Sequence, residues 1–288
     1  MKFKLCALLS IATFALTACN GGGNDNTVAL NQPIKPIADN NQPFELNEQM
    51  VVWKNAEKEH YSGEVTMNDS PKKYAGQDGN DNKALTQINI DGKMVSLDPS
   101  FTYTNANGSW LDGVTGDMEA ETVTVGANTA YARYGFIRMK YSGDLALFYQ
   151  GNPTSLDDMK QLEKQANDVT YKGQAFAITQ GNYNIFHTPA WLTGNSQFTV
   201  NFKNKTLKGT VDQWHDYVVF AGSQVDKAVS SVKPVEIEAQ IRANTFAGTA
   251  NKTGTVEGKF YGSNAANLAG AFHDKEQKLR GVFGAVKQ

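Results

Sequence analysis

Cysteine is nearly absent from this chain: its 288 residues include two, Cys6 and Cys19, both within the first nineteen. Everything beyond Asn20 lacks a thiol. Disulfides, cysteine metal sites and cysteine nucleophiles are therefore excluded together from the body of the protein. Such a body must draw its stability from its sheets and core alone. Neither sign of charge dominates, with 27 basic against 29 acidic residues, so nothing points to nucleic acid or an anionic membrane surface as partner. Beyond the first nineteen residues no apolar run approaches the length of a membrane-spanning helix. The signatures of catalysis are missing as well: no G-x-S-x-G elbow, no H-E-x-x-H, no phosphate-binding P-loop and no G-x-G-x-x-G after a strand. Binding, not catalysis, is the expectation. With 40% hydrophobic residues, 26 glycines and only 8 prolines, the chain can bury a core in one large or two modest domains.

What is present begins at the N-terminus. Lys2 and Lys4 precede a short apolar stretch, and Leu16-Thr17-Ala18 leads into Cys19. The apolar core of this leader, Cys6 to Phe14, is too short to span a bilayer, and its ending resembles a bacterial lipobox. That chemistry joins the Cys19 thiol to a diacylglycerol, cuts the leader before it and acylates the new amine. Each buried CH₂ is worth about 0.8 kcal/mol, so several acyl chains make a lasting anchor. Asn20 follows, not the aspartate that retains such proteins at the inner membrane, so the expected address is the outer membrane.

Four segments follow from composition: a leader over 1–18, a flexible tether over 19–43, a first domain over 44–167 and a second over 168–288. The tether contains Gly21-Gly22-Gly23 with Pro33, Pro36 and Pro43 and has no hydrophobic periodicity. Residues 83–97 read as a hairpin about Asp91-Gly92, and 121–125 and 136–141 alternate as strands. A helix is expected from Ser155, capped with Asp158 and carrying Leu156, Met159, Leu162 and Ala166 near one face. Beyond it come strand candidates at 169–178, 197–202, 206–212, 217–221, 235–241, 245–250, 254–261, 267–272 and 279–286, with glycines expected at their bends. The fold class is mainly β: a mostly antiparallel first domain, then an eight-stranded up-and-down β-barrel. Closing the sheet removes its edges; an open sandwich is the competing arrangement.

The second half also resembles a known family. Val169-Thr-Tyr-Lys-Gly-Gln-Ala175, Phe198-Thr-Val-Asn-Phe-Lys-Asn-Lys-Thr-Leu-Lys-Gly209 and Asn244-Thr-Phe-Ala-Gly248 are similar to the barrel repeats of transferrin-binding protein B. Gly258-Lys-Phe-Tyr-Gly-Ser-Asn-Ala-Ala-Asn-Leu-Ala-Gly-Ala-Phe272, followed by Gly281-Val-Phe-Gly-Ala285, resembles that family's last strands. One barrel after one preceding "handle" domain is the plan of its smaller relatives, such as hemophilin, factor H-binding protein and a nematode-colonisation lipoprotein. The resemblance implies a cell-surface lipoprotein exported through an outer-membrane translocator, binding a host protein or haem and possessing no enzymatic activity. It does not name the ligand.

For haem, passed on to an outer-membrane receptor, the axial donor would be a histidine beside apolar walls. His187 lies between Phe186 and Trp191 in an expected loop, His60 in Glu59-His-Tyr61, and His215 in Trp214-His-Asp-Tyr217 on another expected loop. For a protein partner the anchors would be aromatic: Trp53, Trp110 and Tyr131 to Tyr134 in the first domain, Trp191 and Trp214 on the barrel. The alternative is ordinary packing for the aromatic residues and the His187 loop, surface exposure for His60, and a ring merely solvated beside Asp216 for His215. Asp78-Gly-Asn-Asp-Asn82 has Lys83 where a calcium loop needs glycine, and reads as a solvated turn.

Overall fold

Val235, Ile237, Ala239 and Ile241 alternate with Glu236, Glu238, Gln240 and Arg242, and the apolar set is buried while Glu236, Glu238 and Gln240 are exposed. A period of two puts one face inward, and in the computed structural model this face lines a barrel. The structure describes residues 42–44, 46, 50–53, 83–90, 92–98, 101–104, 110–114, 120–126, 129–139, 145–179, 191–220 and 223–288. All belong to one compact unit, Ala38–Gln288.

The handle contributes β1 (Met50–Trp53), a helical turn α1 (Lys83–Thr86), β2 (Gln87–Ile90), β3 (Lys93–Ser96), β4 (Phe101–Thr104), β5 (Trp110–Val114), β6 (Ala120–Gly126), β7 (Ala132–Met139) and β8 (Leu145–Gly151). The expected first residues of the hairpin, 83–86, form the helical turn α1 instead, and strands β2 and β3 are the rest of the expected hairpin. Gly92 turns it at φ 82°, and its N–H donates to Asn89 Oδ1 at 2.8 Å. The other six form an antiparallel sheet in the order β1-β8-β7-β6-β5-β4. Strand β7 is buried on both faces, so its apolar residues run almost without interruption. Ile137 and Met139 join Ile88, Ile90, Val95 and Leu97 of the hairpin region in one cluster. Ala132, Tyr134 and Phe136, with Leu147 and Tyr149 of β8, join barrel residues in another.

Helix α2 (Leu156–Leu162) links the halves. Ser155 caps it by accepting from Asp158 N at 3.1 Å. It is shorter than its apolar spacing suggests: Met159 and Leu162 are buried, but Leu156 is half exposed and Ala166 lies beyond the last turn. The link itself is pinned to the barrel. Asn244 Nδ2 donates to Thr154 O at 2.9 Å, Thr154 Oγ1 to Gly262 O at 2.8 Å and Thr154 N to Phe260 O at 2.9 Å.

The barrel comprises β9 (Val169–Thr179), β10 (Trp191–Asn201), β11 (Thr206–Phe220), β12 (Ser223–Ala228), β13 (Val235–Arg242), β14 (Thr245–Ala250), β15 (Thr255–Tyr261), a 3₁₀ turn η1 (Ser263–Ala265), β16 (Asn267–Asp274) and β17 (Leu279–Lys287). The antiparallel ring runs β9-β10-β11-β13-β14-β15-β16-β17 and closes from β17 to β9, so the sheet is not an open sandwich. Strands expected at 206–212 and 217–221 are one, β11. Its first part pairs with β13 and its last part with β12, so β12 and β13 follow each other along one neighbour.

The interior is filled by rings, including Phe198, Phe246, Phe260, Phe272 and Phe283. Phe198 and Phe283 lie 4.9 Å apart between centroids and Phe246 and Phe260 5.5 Å. Here the structure corrects one expectation. Several strand glycines sit not at bends but directly across from phenylalanines: Gly209 from Phe198, Gly258 from Phe246, Gly270 from Phe283 and Gly281 from Phe272. A Cβ at Gly209 would fall 2.5 Å from Phe198 Cδ1, and one at Gly258 would fall 2.3 Å from Phe246 Cζ. The missing side chains are the space in which the rings lie, a pairing that protects an otherwise bare glycine.

Candidate functional site

A barrel filled with phenylalanine leaves its ends and its outer wall as binding surfaces. One wall is taken by the handle through Phe176, Ile178, Ala269 and Val282. One end is closed: Met159 and Leu162 of α2 join the interior cluster, and the buried Tyr171 hydroxyl donates to Ala265 O at 2.7 Å. Desolvation pushes that phenol well above its ordinary pKa, so it stays protonated. The N-terminal segment also meets this end. Phe44 N donates to Thr245 Oγ1 at 2.8 Å, and the Arg242 guanidinium lies 4.3 Å from the Phe44 ring centroid.

The opposite rim is built around Asp274, which is fully buried. Its Oδ1 accepts from the backbone of Glu276 at 3.0 Å and of Gln277 at 3.2 Å. Its Oδ2 accepts from Asn251 Nδ2 and Gln277 Nε2, both at 2.7 Å. The two amides then reach outward. Gln277 Oε1 accepts from Lys233 N at 2.7 Å, and Asn251 Oδ1 from Glu236 N at 2.8 Å. One carboxylate thus holds the β16–β17 turn, the β14–β15 turn and the β12–β13 connection in fixed relation. Trp214 Nε1 adds a bond to Lys233 O at 3.3 Å. Between these connections opens a cleft of about 690 Å³, bordered by Thr179, Ser231 to Pro234, Glu236, Asn251, Lys252, Glu276, Gln277 and Leu279.

Trp214 and His215 lie differently from expectation. Both belong to strand β11, not to a loop. One extra residue on β11 between Thr193 and Asn195 of β10, with Gln213 at φ 52°, forms a β-bulge. Inward-facing Leu207 and Val211 are odd-numbered, but past the bulge the even-numbered Trp214 is buried, 6.2 Å from Phe272. His215 is half-buried, opposite Thr193 and Ala228, and does not border the cleft. Trp191, expected in a loop, opens β10 opposite Ile178. Cys19, His60, His187 and the turn at 78–82 lie outside the described residues. His273 sits on β16 between Thr255 and Arg280. Burial, then Arg280 and Lys275, lower its pKa to about 4, so it is neutral at neutral pH. Among the described residues, no group of three histidine, cysteine or acidic residues is arranged to hold a metal.

The rim network was invisible in the sequence. Asn251 and Asp274 were legible only as the starts of tight turns, and no spacing joins them to Lys233.

Residues 164–287 match the family model of the C-lobe and N-lobe β-barrels of transferrin-binding protein B. An uncharacterized protein of Haemophilus influenzae is 26% identical over 221 residues, covering 72% of this chain and 67% of that protein. Transferrin-binding protein B of Moraxella catarrhalis is 33% identical over 111 residues, 33% of this chain but 15% of the relative. The crystal structure of isotype 1 transferrin-binding protein B from serogroup B Neisseria meningitidis superposes with a TM-score of 0.51 at 20% identity, covering 83% of this chain and 43% of that one. The chain therefore spans less than half the length of these two transferrin-binding proteins.

Proposed function

Because residues 164–287 form a barrel of the transferrin-binding protein B type, we propose that this chain is a lipid-anchored outer-membrane protein that binds a host protein at the cell surface without catalysing a reaction. The observation that carries the reading is the filled interior. A barrel occupied by Phe198, Phe246, Phe260, Phe272 and Phe283 offers its outside surfaces to a ligand, as a protein partner requires. The segment beginning at Phe44 joins the helix-capped end.

The test has two parts. In a diderm host, the full chain should partition into detergent and be cleaved by protease added to intact cells, and Cys19→Ser should abolish the partitioning. The soluble chain from Gly21 onward is then titrated with transferrin, lactoferrin, haemoglobin and haemin. Saturable binding of one protein without a Soret band from haemin is the expected result. A stoichiometric Soret band lost in His187→Ala, His60→Ala or His215→Ala, with no protein bound, would replace this reading with haem capture and delivery to a receptor.

A further inference from the structure

We propose that the cleft on the Asp274 rim is a binding site for a polypeptide segment carrying charges of both signs. This rests on the host-protein reading and names where and how the partner is gripped.

Three observations support it. The first is pre-organisation. Gln277 and Asn251 spend their amides on Asp274, Lys233 and Glu236, so the wall is held before any ligand arrives, and little ordering entropy remains to be lost on binding.

The second is the chemistry left over. With those amides committed, the exposed side chains bordering the cleft are Lys233 and Lys252, Glu236 and Glu276, Ser231 and Pro234, with the Glu276 carboxylate accepting from Thr253 Oγ1 at 3.3 Å. Lys233, Lys252, Glu236 and Glu276 are all exposed. Among the described residues the cleft border includes no aromatic ring on which a sugar would stack and no histidine, tyrosine, methionine or cysteine to ligate a haem iron. A surface with both signs of charge is complementary to a peptide bearing lysine or arginine together with aspartate or glutamate.

The third is Thr179. It borders the cleft, is 3% exposed, and its hydroxyl is buried without a hydrogen-bond partner among the described residues. A buried polar atom left unsatisfied in a native fold calls for a reason, and a ligand carbonyl or amide arriving at the cleft floor supplies one.

The test uses the chain from Gly21 onward, which contains the whole unit Ala38–Gln288, followed by amide NMR. The probes are a short synthetic peptide alternating lysine and glutamate, all-lysine and all-glutamate peptides of the same length, and maltotriose. Saturable shifts at Lys233, Asn251, Lys252 and Gln277 with the alternating peptide alone are expected. Lys233→Glu combined with Lys252→Glu should weaken that binding about tenfold or more. Thr179→Val should weaken it several-fold without loss of thermal stability, because an isosteric swap removes an unpaired group. Unchanged affinity in Thr179→Val would overturn the assignment of that hydroxyl to the site. Equal or tighter binding of a single-sign peptide, shifts produced by maltotriose, or no shifts from any probe would each overturn the assignment. None of these probes is a host protein. A silent cleft in a chain that still binds one sinks this inference alone, and a responsive cleft in a chain that binds none sinks the wider reading alone.

Discussion

Gly284→Ala tests how the handle is fastened to the barrel. Gly284 lies on β17, and a Cβ placed there would sit 2.2, 2.3 and 2.7 Å from Cε1, Cδ1 and Cζ of Tyr134 on β7. Carbon atoms rest about 3.5–4.0 Å apart, so the ring would have to retreat by well over an ångström. It cannot do so freely. A Cβ at Gly126 on β6 would lie 2.0 Å from Tyr134 Cζ, so the ring also lies tight against the handle's own sheet. Tyr134 is fully buried. Overpacking of this kind costs about 1–3 kcal/mol, and 2 kcal/mol corresponds to a fall in Tm of about 4–8 °C for a chain of this size. The assay is a double-mutant cycle on thermal and urea unfolding of the soluble chain. Tyr134→Ala alone should cost about 3–5 kcal/mol through the cavity it leaves. In that background Gly284→Ala should cost less than about 0.5 kcal/mol, because the ring it strikes is gone. Equal penalties for Gly284→Ala in both backgrounds would refute the fit of Tyr134 between two glycines.

Two further outcomes follow from the rim and from β16. Asp274→Asn should destabilise by about 2–4 kcal/mol and blur the NMR signals of Lys233 and Asn251. Each Asp274 oxygen accepts from two donors, so an amide in either orientation sets its NH₂ against two of them; a variant with unchanged Tm and spectrum would contradict the network. His273 has a folded pKa of about 4, below the ordinary 6.5. The unfolded chain therefore takes up a proton that the folded chain refuses, and stability falls as pH drops from about 6.5 to about 4, then levels off. The ring is partly exposed, so with allowance for solvent screening the effect is on the order of 1 kcal/mol. His273→Gln should flatten the urea midpoint across that window relative to the parent chain, and parallel profiles would remove His273 as the cause.

How far each element could be read depends on the distance over which it is specified. The hairpin about Gly92 and the Ser155 cap were legible because each is decided within three or four residues. The barrel strands were legible because inward and outward residues alternate. The bulge at Gln213 was not, since it interrupts that alternation: 206–212 and 217–221 read as two strands, and Trp214 and His215 fell into the supposed gap between them. The purpose of the strand glycines was hidden for a related reason. A glycine's empty space acquires meaning only when register brings Phe198 or Phe246 across from it.

By itself the sequence determined that the body lacks thiols, that its charge is balanced, and that its second half is a run of antiparallel strands of a recognisable kind. Those are properties of composition and local period, which survive without knowledge of what lies opposite. Only the tertiary structure decided that the barrel is filled, that Tyr134 is lodged between β6 and β17, and that Asp274 joins residues 251, 277 and, through Gln277, 233 into a rim with a cleft. Such arrangements depend on which strand ends closure of the sheet brings together, and hydrogen bonds of about 3 Å between turns far apart in the chain leave no periodic trace along it.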